Sequence, residues 1–112
     1  MKTVSVAADN LDKRELLKIL TAFKRGNFSV RMPVEQTGLA GKIADALNDV
    51  LELNEKMTRE LARVSNSVGK EGKIYQRASI GGGSGGWADC VDSLNSLIGD
   101  LVQPSTDRKS VV

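Results

Sequence analysis

Gly81, Gly83 and Gly86 fall in the G-x-G-x-x-G spacing with which dinucleotide-binding loops bring backbone N–H groups against a pyrophosphate. That chemistry needs a buried strand before the glycines, a βαβ unit around them and an acid downstream. None is evident here, and no Gly-Lys-Ser/Thr follows to make a P-loop. The run Gly81–Gly86 therefore reads as a flexible connector or an engineered linker. Asp45 and Asp49 stand four residues apart, as an acid/base couple on one helix face would, but they read as a solvated face. Cys90, the single cysteine, excludes an intrachain disulfide. It reads as a small core residue, and its isolation fits a reducing, cytoplasmic setting. The chain contains no histidine. A histidine phosphoacceptor, a Ser-His-Asp triad and a histidine metal site are thereby excluded together. The expectation is a chain with no catalytic residues, no cofactor and no metal: not itself an enzyme.

Composition narrows the partners. Over 112 residues, 16 basic and 14 acidic side chains leave a net charge of +2. They are interleaved rather than massed, so no nucleic-acid surface is expected. No apolar run approaches the 18 or so residues of a membrane span, and the N-terminal MKTVSVAADN is too weakly apolar for a secretory signal. Phe23, Phe28, Tyr75 and Trp87 are the only aromatics. A core so poor in rings points to helices packed through Leu, Val, Ile and Ala.

The stretch from Leu39 to Gly69 dominates the chain. Ala40, Ile43, Leu47, Val50, Asn54, Met57, Leu61, Val64 and Val68 alternate at intervals of three and four, an a/d heptad with one polar member. Glu52 with Lys56, and Glu55 with Arg59, add i,i+4 pairs in the favoured order. A continuous helix over about 39–70 is predicted. At 1.5 Å per residue it would span roughly 45 Å, more than the remaining short helices could cover. The long helix asks for a partner.

Residues 1–9 show no period and read as an N-terminal leader. A first helix is expected from Asn10–Asp12, where Asp12 and Glu15 resemble a capping pair. Leu16, Leu20 and Phe23, widened by Leu17 and Ile19, form its apolar face, and Gly26 is placed to stop it. Pro33 and two glycines keep 26–38 from being helix throughout. Phe28, Val30 and Met32 alternate there, as in an ordered connector packing back on helices. Thr37 is a candidate N-cap. After Gly72 a second irregular segment reaches Gly86. A last helix is predicted over about 87–102, with Trp87 at its start and Val91, Leu94, Ile98 and Leu101 along one face. Residues 104–112 read as a tail or the start of a further unit.

The order helix, Gly-led connector, helix occurs twice. Ile43-Ala44-Asp45-Ala46-Leu47-Asn48 resembles Cys90-Val91-Asp92-Ser93-Leu94-Asn95 at an offset of 47 residues (95 − 48). Gly26-Asn27-Phe28 corresponds to Gly72-Lys73-Ile74 at an offset of 46 (72 − 26), and Met32 then corresponds to Ala78. The first-helix copies match poorly, because Leu20 would face Asn66. The long helix closes one unit and opens the next. Connectors of 12–14 residues can return the chain so that both helices of a unit run in the same direction; an antiparallel hairpin needs only two to eight. Two parallel helices are half a core, which a parallel homodimer completes as a four-helix coiled coil.

Helix, Gly-x-apolar-x3-apolar connector, helix, at about 50 residues per unit, resembles the HAMP signalling module. The wording is closest to the tandem arrays of poly-HAMP hybrid sensor histidine kinases. It is carried by Gly26-Asn27-Phe28-Ser29-Val30-Arg31, Thr37 to Asp45, Val68 to Ile74, and Val91 to Ile98. The opening Asp-Glu-x-Gly motif common in such units is reduced here to its final glycine, in Gly38-Leu39-Ala40-Gly41. The resemblance implies an all-α fold of two HAMP units, 10–57 and 57–103, each a parallel four-helix coiled coil formed by homodimerisation. Gly26, Phe28, Met32, Gly72, Ile74 and Ala78 would then pack the connectors. Leu16, Leu20, Phe23, Ile43, Leu47, Val50, Met57, Leu61, Val64, Val91, Leu94, Ile98 and Leu101 would form the dimer core. On the residues themselves, Asn54 reads either as a register-fixing polar contact on the heptad face or, with Leu51 and Leu53 offering alternative core positions, as a phase shift at the junction. The implied function is signal relay to adjacent HAMP or kinase domains of a two-component parent protein. A non-switching structural or adaptor coiled coil is the alternative.

Overall fold

The computed structural model describes residues 11–34, 37–73 and 75–102, and within them it is all-helical. Helix α1 covers Lys13–Lys24, α2 covers Gly38–Val64, and α3 covers Gly86–Val102. Ser65–Lys70 continues from α2 as a wider π-helical segment. No strand occurs among the described residues. The chain divides into two compact units between Glu55 and Lys56, a point inside α2.

Local chemistry sets the ends of α1. The Asp12 carboxylate accepts from the N–H groups of Arg14 and Glu15, both at 3.1 Å, occupying donors that the first turn leaves unpaired. At the other end Gly26 takes φ +92°, a left-handed conformation that glycine adopts without a side-chain clash. The Gly26 N–H donates to the Phe23 carbonyl at 2.8 Å and the Asn27 N–H to the Ala22 carbonyl at 2.9 Å, the two bonds of a Schellman cap. Thr37 stands just ahead of α2, its carbonyl accepting from the Gly41 N–H.

In the first unit Ile19, Met32, Ala44 and Leu51 form the core, with Leu11, Leu16, Phe23, Val30 and Leu47 packed against it. Ala40 is buried as well, whereas Ile43 and Val50 are each 37% exposed. The apolar character of α2 here is two adjacent stripes rather than one seam. Ala40, Ala44, Leu47 and Leu51 face the unit's own core, and Ile43 and Val50 lie beside them, uncovered. Leu51, expected at the junction, is fully buried. It sits seven residues after Ala44 and so returns to the same helix face after about two turns. Leu53 and Asn54 are half-buried, and the Asn54 side chain donates to the Val50 carbonyl at 2.8 Å.

In the second unit Val64, Ala78 and Ile98 form the core, with Val68, Val91 and Leu94 against it. Leu61, Leu97 and Leu101 are exposed at 46, 55 and 60%. Cys90 is exposed, not a core residue. Val91 takes the inward position, and the cysteine, one step back, is turned by about 100°.

The poor match between first-helix copies is resolved by the π segment. Leu16, Ile19 and Phe23 correspond to Leu61, Val64 and Val68 at an offset of 45 residues (64 − 19), not 46. Ile19 and Val64 are both buried, and Phe23 and Val68 both pack on their unit's core. One extra residue then separates Val68 from Gly72 compared with Phe23 and Gly26. The Glu71 N–H donates to the Asn66 carbonyl at 2.9 Å and the Lys73 N–H to the Ser67 carbonyl at 2.8 Å. These are longer-range loops than the α-helical i→i−4, and they absorb the extra residue. Gly72, at φ +71°, then leads the second connector as Gly26 leads the first.

Candidate functional site

The features most alike in the two units are asparagine clamps on the connectors. Asn48 lies on α2, where it ends the first copy of the repeated hexapeptide. Its Oδ1 accepts from the Met32 N–H at 2.7 Å, and its Nδ2 donates to the Met32 carbonyl at 3.1 Å. Asn95 on α3 ends the second copy. It accepts from the Ala78 N–H at 2.7 Å and donates to the Ala78 carbonyl at 3.1 Å. A primary amide carries a donor and an acceptor on one edge. It therefore pairs with both backbone groups of an extended residue, as a neighbouring β-strand would. Met32 and Ala78 are buried at 1 and 5% exposure, so their backbone groups depend on this partner.

Charged residues brace each connector beside its clamp. In the first unit Arg31 of the connector reaches Glu55 of α2 at 2.7 Å and donates to the carbonyls of Phe28 and Val30. Phe28 stacks edge-on against Phe23, with ring centroids 5.7 Å apart. In the second unit the braces come from α2. The Glu60 carboxylate accepts from the Ser79 N–H at 2.7 Å. Arg63 binds Glu60 through two nitrogens, at 2.9 Å each. It also donates to the Arg77 carbonyl and the Gln76 side chain, both at 2.8 Å. The hydrogen bond from Arg63 holds the Glu60 carboxyl below its ordinary value of 4.5; partial burial opposes this, and the Ser79 N–H adds to it.

These contacts give the connectors a direction. Met32 meets Asn48 while the preceding Arg31 meets Glu55, further along α2. Ser79 meets Glu60 while the preceding Arg77 meets Arg63. Each connector runs antiparallel to the α2 segment of its own unit.

Of the residues singled out in the sequence, Gly26 and Gly72 start the connectors, Phe28 is half-buried, and Met32 and Ala78 are buried. Ile74 lies outside the described residues, as do 1–10 and 103–112. Leu16, Phe23, Leu47, Val91 and Leu94 are half-buried against the unit cores, Met57 is half-buried, and Val64 and Ile98 are buried. Leu20, Ile43, Val50, Leu61 and Leu101 are exposed. Asp45 and Asp49 are exposed, and Trp87 is half-buried in the first turn of α3. Asn48 and Asn95 are not among the residues that the sequence marks as functional. Their signal was the closing position of the repeated hexapeptide, where a polar residue recurs directly after the core-facing Leu47 and Leu94.

Among the described residues no group of three His, Cys, Asp or Glu side chains is placed to hold a metal, and no helix is long and apolar enough to cross a membrane. No protein-family model matches the chain, and no solved structure matches it.

Proposed function

We infer that this chain is a signal-relay segment made of two HAMP-like units in series, working as a parallel homodimer in the cytoplasm. In this reading it passes a conformational bias to a kinase-type output domain outside these residues. The observation that carries the reading is the duplicated unit: the same clamp on the same connector position, beside an apolar helix stripe that the unit itself leaves uncovered. The antiparallel course of each connector supports parallel helices within a unit, since it carries the chain back before the next helix begins. In the second unit Leu61, Val68, Leu94, Leu97 and Leu101 line an apolar groove of about 280 Å³ between the end of α2 and α3. A second copy would supply apolar side chains to it in register. Relay then requires that each four-helix bundle have two packings separated by a small free energy, both of them dimeric.

Sedimentation equilibrium tests the assembly. The chain should sediment as a dimer, and Val50→Glu should sediment as a monomer with its helical content retained. A monomer for the unaltered chain at all concentrations overturns the reading. Hydrogen exchange separates relay from a rigid structural coiled coil: a relay gives the two units distinct opening free energies, and a rigid bundle gives them one.

A further inference from the structure

The two connectors are gripped in different ways. In the first unit the grips identify side chains. Phe28 sits on Phe23, the Arg31 guanidinium pairs with Glu55, and Met32 fills the core beside Leu51. Pro33, with fixed φ and no N–H, follows at once. In the second unit the polar grips fall on the backbone of three successive residues: Asn95 on the N–H and carbonyl of Ala78, Glu60 on the N–H of Ser79, and Arg63 on the carbonyl of Arg77, with Arg63 also on the Gln76 side chain. Burial alternates along this connector, with Ala78 at 5% and Ile80 at 7% on either side of the exposed Ser79. In an extended chain, residues two apart present the same edge and the same face.

We propose that the second connector is a two-register latch, in which the Asn95 amide pairs either with Ala78, as seen here, or with Ile80 after a slip of two residues. The slip moves the connector by about 6–7 Å at 3.3 Å per residue. Glu60 then receives the Gly81 N–H in place of that of Ser79, and Arg63 donates to the Ser79 carbonyl in place of that of Arg77. The number of backbone bonds to Asn95, Glu60 and Arg63 is conserved. The length comes from the glycine run ahead of α3, where Gly81 lies in a bend at φ +68° and Gly83 holds φ +84°. Extending the chain through Gly81 and Gly83 supplies the reach, and the Gly85 turn that opens α3 is kept. In the first unit the same slip would separate Phe28 from Phe23 and Arg31 from Glu55, and would withdraw Met32. The latch is a property of the second unit alone and does not depend on the relay reading or on dimerisation.

NMR relaxation dispersion on the full chain tests it. Ala78, Ser79, Ile80 and the Asn95 side-chain amide should show exchange with one common rate, while Met32 and the Asn48 amide stay quiet. Ala78→Met adds to the observed register the anchor that the first unit has, and should suppress the exchange. Ala78→Pro removes the N–H that the observed register uses. It should fold with the Asn95 amide still protected and the Ile80 N–H newly protected. No dispersion in either unit, or equal dispersion in both, overturns the proposal. So does Ala78→Pro with the Asn95 amide unprotected, whether or not the unit stays folded.

Discussion

Asn48 is joined to Met32 as two residues of neighbouring strands are joined, by one accepted and one donated hydrogen bond to the same residue. The pairing is indifferent to the side chain it holds, which is why Asn95 can form the same pair with Ala78, a much smaller residue. It fixes the backbone of the connector and leaves the side chain free to fill the core.

Asn48→Ala would leave both backbone groups of a buried residue without a partner. Stability of the first unit should fall by about 1–3 kcal/mol, the usual cost of such an orphaned group. Chemical denaturation measures the loss, and exchange of the Met32 amide locates it. Asn48→Asp keeps the acceptor but sets a carboxylate oxygen against the Met32 carbonyl. It should remain destabilised at neutral pH and recover in part once the acid is protonated.

Leu51 and Val50 are neighbours on α2 with opposite environments, 0% and 37% exposed. Leu51→Ala should cost about 2–5 kcal/mol of unit stability, as core truncations of this size do. Val50→Ala should leave unit stability nearly unchanged and weaken self-association instead. Denaturation at low chain concentration, together with sedimentation, separates the two effects.

Much of this arrangement could be read in the sequence, and the parts that could not have physical reasons. The helix boundaries followed from Asp12, Gly26 and Gly72, whose capping chemistry is local. The heptad from Ala40 to Val68 predicted one seam, because spacing alone does not separate two stripes that share Leu47. Whether Leu51 or Val50 turns inward depends on where Ile19 and Met32 lie, which is tertiary information. Residue type alone points Cys90 inward, although Val91 is the residue in phase with Leu94 and Ile98. The π segment hid the repeat in the first helices, since its extra residue shifts Val64 and Val68 against Ile19 and Phe23.

The π segment supplies a deletion test. Removing Gly69 restores between Val68 and the connector glycine the spacing found between Phe23 and Gly26. The segment should become regular α-helix, and losing a helix-interior glycine should raise stability by up to about 1 kcal/mol. Protection of the Ser79 amide should persist. Removing Ala62 from the regular part of α2 instead turns Glu60 by about 100° against Val64 and Val68 and should abolish that protection.

Glu60 makes the second connector acid-sensitive. Its folded-state pKa lies below the ordinary 4.5, so its contribution is fully present above that value. It is lost as pH falls through the lowered folded value. Protection of the Ser79 amide should therefore be flat from neutral pH down to about 4.5 and decline below it. Glu60→Gln should remove this dependence.

Cysteine cross-linking along α2, in a Cys90→Ser background, tests the proposed parallel dimer most directly. Single cysteines at 43, 50 and 61 should form disulfides between equivalent positions of two chains under mild oxidation, while those at 44 and 51 should not. Efficient cross-linking at 44 and 51, or none at any position, would contradict a dimer built on the uncovered stripe.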